Sequence, residues 1–119
     1  MPYIKSNDGR RESLQSGEPA LNAGELNYQI FHYIKYNCKN HILCTSDIDK
    51  ICYLIKQFLG NKPNYQRYND MTGVLIRCAK EIYRRLGLYF ISEFNAILIL
   101  YDKEIADYED IKIKENGDV

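Results

Sequence analysis

The sequence predicts a small all-α protein: an antiparallel helical bundle of three to four helices behind an irregular N-terminal arm. Three observations predict it. Apolar residues recur every three to four positions in long segments. Those segments are bounded by residues that start or stop helices, namely Asn22, Ser46, Gly60 and Gly87. The chain of 119 residues, 45% hydrophobic and 27% charged, has the length and composition of one globular domain.

Residues 1–20 read as the arm and residues 21–119 as the helical domain. Asn7-Asp8-Gly9, Ser16-Gly17 and Pro19 give the arm a loop composition. Its Met1-Pro2 start is shared with tautomerase-like enzymes, where the proline amine acts as a base. Here Lys5-Ser6-Asn7-Asp8-Gly9 replaces the apolar alternation those enzymes need.

The first helix is predicted over Ala23 to Lys39. Asn22 is its N-cap, with Glu25 in capping-box position. Leu26, Ile30, Tyr33, Ile34 and Cys38 form the apolar stripe, and Asn27 and Asn37 fall inside it. A second helix starts at a Ser46 cap with Asp49 three residues on. It carries Ile48, Ile51, Cys52, Ile55, Phe58 and Leu59 on one face and stops at Gly60. Asn61-Lys62-Pro63-Asn64 is a turn. A third helix begins between Asn64 and Asp70 and ends near Leu86, with Gly87 as its stop. Its stripe is Met71, Val74, Leu75, Cys78, Ala79, Ile82 and Leu86. Gly73 lies mid-helix, which costs about 1 kcal/mol relative to alanine. Close approach of another helix is the expected reason.

Residues 88–101 carry two signals. Tyr89-Phe90-Ile91 and Ile97 to Tyr101 have strand propensity. Phe94, Ile97, Leu98, Tyr101, Ile105 and Tyr108 instead fit a helix, about Glu93 to Lys112, with Ser92 as its cap. The helical reading is preferred because its apolar stripe is the longer pattern.

Sixteen basic residues balance sixteen acidic ones, which excludes a globally basic nucleic-acid binder. The charge is zoned, however: residues 56–85 carry net +5 and residues 86–119 net −5. Complementarity between consecutive helices is the simplest reason. A basic strip of Arg77, Lys80 and Arg84 that binds phosphate groups is the functional alternative. These cations are exposed and have no Gly-rich loop beside them, a weak nucleic-acid signal, so nucleic acid is not the expected partner.

Eleven tyrosines, four phenylalanines and no tryptophan place much aromatic area at the edge of a core or at an interface. The cysteines Cys38, Cys44, Cys52 and Cys78 form no CxxC pair. The group His32, Cys38, His41 and Cys44 is the one set that could gather zinc. The stripe places His32 elsewhere, so no metal and no cofactor are expected. Met1 to Arg11 is polar, unlike a signal peptide, and Leu86 to Tyr101 is too short to span a bilayer. A cytoplasmic chain with reduced thiols follows.

Nucleotide-binding glycine motifs, GxSxG and HExxH do not occur in the sequence. Glu25, Glu81, Asp107, Glu109 and Asp110 could serve carboxylate–magnesium chemistry like that of helical nucleotide pyrophosphohydrolases. The repeated ExxE pair of those enzymes is missing from the first three helices. No catalytic residue is assigned. Glu81 and Arg85 stand four apart on the edge of the apolar stripe. An arginine partly buried there requires a carboxylate or a ligand oxyanion. Glu81 is expected to be its structural partner.

Met1-Pro2-Tyr3-Ile4, Gly24-Glu25-Leu26-Asn27-Tyr28, Tyr83-Arg84-Arg85 and Glu115-Asn116-Gly117-Asp118-Val119 carry a resemblance. In order along the chain, they resemble a family of short uncharacterised proteins from phages and prokaryotes, with an MPYI start, GELNY and YRR motifs and an ENGDV end. The resemblance implies a helical protein of phage or prokaryotic origin and implies no activity. The chain departs from that pattern between Arg85 and Tyr108, where members have a much shorter link. The polar motif residues Asn27, Tyr28, Glu81, Arg84 and Arg85 are the candidate ligand-binding set. They could equally tie the tail onto the first and third helices. The function expected is a non-enzymatic, phage-associated binding or accessory protein that self-associates or binds a host protein. The alternative is a helical protein that binds or hydrolyses a phosphate-bearing small molecule such as a nucleotide.

Overall fold

The computed structural model describes residues 9–38 and 43–116. Among these the chain forms five helices and no strand: α1 (Arg10–Gln15), α2 (Ala23–Asn37), α3 (Thr45–Leu59), α4 (Tyr65–Leu86) and α5 (Ile91–Asn116). The Met1–Ile4 start, His41, the expected end of the first helix at Lys39 and the final Gly117-Asp118-Val119 lie outside the described residues.

The additional helix is α1, which the loop-forming residues around it concealed. Its single buried side chain is Leu14. A single turn and a half is too short for periodicity to register, and it is not self-supporting. It is held instead by α2. The Arg10 guanidinium donates to both carboxylate oxygens of Glu25, at 2.8 and 2.7 Å, and to the Pro19 carbonyl at 2.9 Å. The buried Gln29 amide donates to the carbonyls of Leu14 and Glu18.

In α2, Asn22 caps as expected, accepting from the Glu25 N–H at 2.9 Å. Glu25 also accepts the Leu21 N–H. Asn27 is buried, but Asn37 is exposed: the helix ends there, and its amide turns back to the Tyr33 carbonyl. The cap of α3 is Cys44, not Ser46. Asp47 reaches back to accept the Cys44 N–H (3.2 Å) and its thiol (3.1 Å), while Tyr33 donates to the other oxygen at 2.8 Å. A charged acceptor makes the stronger bond, and Ser46 is left inside the first turn. These bonds hold the Asp47 carboxyl below its ordinary range, the Cys44 thiol first among them.

Ile51, Leu54, Ile55, Phe58 and Leu59 of α3 are buried, whereas Ile48 and Cys52 are half-buried at the rim. Asn64 caps α4 by accepting the Arg67 N–H, and Gly87 ends it at φ +69°, the left-handed region that glycine enters without strain. Gly73 is exposed, with no atom within 4 Å of the position its Cβ would take. No helix crosses closely there, contrary to expectation.

Residues 91–116 are helical throughout, so the strand reading of 88–101 fails. Phe90, Phe94, Ile97 and Tyr101 bury one continuous stripe, and that longer pattern outweighs local β propensity. The helix begins at Ile91, so Ser92 lies within it. Tyr68 of α4 donates to Glu104, and its ring lies 5.2 Å from that of Tyr108. At the other end, Leu75 and Ala79 meet Ile91, Phe94 and Leu98. The two helices therefore run in opposite directions. Among the described residues no ion pair joins the basic α4 to the acidic α5. The apolar seam occupies the shared face, so the opposite charges of the two helices point outward. No helix of the described residues is long and apolar enough to cross a membrane.

Candidate functional site

The chemistry-bearing side chains gather where α2 faces α4 and α1. Tyr28, His32 and Tyr36 stand four apart, so they form one column on α2. The Tyr28 and His32 rings stack at 5.7 Å with 25° between their planes, and His32 and Tyr36 follow at 4.6 Å and 41°. Beside the column, Phe31 carries the Arg85 guanidinium 4.6 Å above its ring. Arg11 lies 5.5 Å from the Tyr28 ring and Lys35 5.5 Å from that of Tyr36. These residues, with Arg84 from α4 and Glu12 and Gln15 from α1, line an open groove of about 750 Å³.

Four of the lining residues are cationic and one is acidic. Among the described residues, Lys35 and Arg84 have no carboxylate partner. Burial, then the neighbouring Lys35 charge, pushes the His32 pKa down, so the imidazole is neutral at physiological pH. The α1 wall is fixed by the Arg10–Glu25 pair and by Gln15, which donates to the Tyr28 hydroxyl at 2.7 Å. The Arg10 hydrogen bond holds the Glu25 carboxyl below its ordinary range.

Behind the groove lies a small polar cluster. Glu81 is buried at 7% exposure; it accepts from the Asn27 amide at 3.4 Å, and its other oxygen is 3.6 Å from Arg85. The Arg85 side chain is 44% exposed. The pair expected from the four-residue spacing is therefore present with its burial reversed: the carboxylate is desolvated and the guanidinium reaches solvent. Glu81 orients Arg85 into the groove from behind. The buried Asn27 Oδ1 has no partner.

Of the five candidate residues, Tyr28, Arg84 and Arg85 line the groove, and Asn27 and Glu81 support it from the interior. The structure adds Arg11, Phe31, His32, Lys35 and Tyr36. The Tyr28/His32/Tyr36 column was legible as an i, i+4, i+8 pattern on a predicted helix. Arg11 was hidden because α1 itself was. The rings that face Arg84 and Arg85 across the groove are supplied by α2.

Elsewhere, burial pushes the Cys38 thiol up to about 11, with the Asp47 charge second, and raises the buried Cys78 thiol as well. Such thiols are poor nucleophiles and poor metal ligands at neutral pH. All four cysteines are free, and among the described residues no three His, Cys, Asp or Glu side chains gather as a metal site.

Fold and groove together define an all-helical protein with a basic, ring-lined groove between two of its longer helices. The chain belongs to the family described as domain of unknown function DUF6899, whose model it matches over residues 1–119. No match was found among curated proteins or among solved structures.

Proposed function

We propose that this protein binds a phosphate-bearing small molecule in the groove between α2, α4 and α1, as a binding rather than a catalytic protein. The observation that carries the reading is the pairing of Lys35, Arg84 and Arg85 with the stacked rings of α2 in one concavity. Guanidinium groups recognise phosphate oxygens in a bidentate manner, and Lys35, Arg84 and Arg85 present exposed head groups to the groove. The volume is of the size that encloses a small ligand. Glu81 serves this reading as a positioning residue for Arg85.

A thermal-shift titration with phosphate compounds tests it. A ligand at a hundredfold excess over its Kd stabilises the fold by about 2.7 kcal/mol. Wild type should be stabilised, and the Arg84→Ala, Arg85→Ala double variant should not. A shift of equal size in both proteins would refute the site.

A second reading rests on a separate observation. Ile99 and Leu100 on the outer face of α5 are 67% and 68% exposed, and Ile111 and Ile113 are exposed further along. Such a face suits self-association or a protein partner. Light scattering across a concentration series tests self-association: mass above the monomer that Leu100→Lys abolishes would support it.

A further inference from the structure

Resting on the phosphate-binding reading, we infer that the ligand is a nucleotide, its base stacking on the open end of the α2 ring column at Tyr36 and its phosphate meeting Arg84 and Arg85. The two ends of the column differ. At Tyr28 the ring is covered by the Arg11 guanidinium and its hydroxyl is bonded by Gln15. At Tyr36 the residue is 57% exposed, with the His32 ring at 4.6 Å and the Lys35 ammonium 5.5 Å over its ring. A planar base can add there as the next rung once the exposed Lys35 side chain swings from the ring face toward the phosphate.

The spacing suits the same molecule. Arg85 sits over Phe31, and Tyr36 is five residues further along α2. At about 1.5 Å and about 100° per residue, the stacking platform lies about 7–8 Å along the axis and about 140° around it from the phosphate anchor, across the ring column. The ligand has to reach across the groove, which a base joined to its phosphates through a ribose does. A bare phosphate or pyrophosphate would leave the rings unused. A sugar phosphate would reach the same arginines but present no planar face to Tyr36. Stacked rings with facing arginines are the elements that hold single bases in proteins that read no sequence. The neutral His32 within the column keeps the stack free of a charge that the base would have to approach.

Calorimetric titration of the full chain separates the two layers of this argument. The probes are adenosine monophosphate, uridine monophosphate, ribose phosphate, inorganic pyrophosphate and a short adenylate strand. The nucleotides should bind about tenfold or more tighter than ribose phosphate, with the larger purine ahead of the pyrimidine. Tyr36→Ala should bring the mononucleotides down to the level of ribose phosphate. Tyr36→Phe should restore the difference, because it keeps the ring. Arg84→Ala should weaken every probe. The strand distinguishes two sources of the same unit: tighter binding than the monomer places the nucleotide in a strand, and equal or weaker binding makes it a free nucleotide. If ribose phosphate or pyrophosphate binds as tightly as the nucleotides, the base-stacking inference is overturned while the phosphate reading stands. If no probe binds, both fall.

Discussion

The α4–α5 seam and the groove end of the molecule are held together by different physics. Along the seam, Phe90, Phe94, Ile97 and Tyr101 lie buried against the stripe of α4, and Tyr68 donates to Glu104 at its edge. At the groove end, α1 contributes one buried apolar side chain and is otherwise tied on by the Arg10–Glu25 pair and the Gln15 and Gln29 amides. Apolar area is non-directional and tolerates imprecision, whereas hydrogen bonds fix geometry and lose most when one partner is removed. The region fixed by polar bonds is the one that presents cations and rings to solvent. The seam is a support, and the groove end is where position matters.

The largest expected effect lies in the seam. Phe94 is fully buried, so Phe94→Ala should destabilise by about 3–5 kcal/mol in a denaturant or thermal unfolding measurement. The groove's ligand response should survive in the fraction that remains folded. A loss under 1 kcal/mol would mean that α5 is not packed as a core helix and would erase the contrast between the two regions.

At the groove end, Glu25→Gln removes the nearer of two countercharges from a guanidinium that is only 22% exposed, leaving the more exposed Glu18 at 3.2 Å. The cost should be about 1.5–3 kcal/mol at neutral pH. Its pH dependence follows from the depressed Glu25 pKa. Stability from this pair is fully present above about pH 4.5 and is lost as the pH falls through the lowered folded-state value. The difference between wild type and variant should therefore shrink in acid. Equal acid sensitivity of the two proteins would show that the clamp contributes nothing, leaving α1 without its main tether.

These two regions also differ in how far the sequence revealed them. The seam, α3 and most of α4 followed from periodicity, because helical spacing determines which side chains share a face. Leu86 as the last residue of α4 followed from Gly87. The groove end was hidden in three physical ways. Its clamp joins residues 15 apart, and the Asn27–Glu81 contact joins residues 54 apart, distances at which no local spacing rule operates. Its α1 wall is too short to show a period. Its cap on α3 is a cysteine backed by Asp47, whereas propensity favours Ser46. Tyr28, Arg84 and Arg85 could be picked out as candidate residues, but only tertiary packing sets them around one concavity.

The buried carboxylate sharpens the comparison further. Because Glu81 is the desolvated member of its pair, Arg85→Ala should cost more than Glu81→Gln. The first leaves a buried charge with only the Asn27 amide at 3.4 Å, an expected loss of about 1–3 kcal/mol. The second removes the charge, and a glutamine amide can donate to the unpartnered Asn27 Oδ1, so stability should change by under about 0.5 kcal/mol. Unfolding curves of the two variants decide it. The reverse order would mean that Arg85 is the member that needs its partner, and that it is not held ready for an anion.

The smallest effect is expected at Gly73, which lies on the exposed face of α4 in line with Arg77, Lys80 and Arg84. Its helical interior position costs backbone entropy, and nothing lies within 4 Å of an added Cβ. Gly73→Ala should therefore stabilise by about 0.5–1 kcal/mol. The groove takes only Arg84 and Arg85 from α4, about three turns beyond Gly73, so ligand affinity should not change. A destabilised variant would reveal that this face of α4 is covered in solution, by a second copy or another segment. The basic strip beside it would then belong to an interface and not to the approach to the groove. A stabilised variant with unchanged affinity would confine the function of α4's cations to the end where they meet the rings of α2.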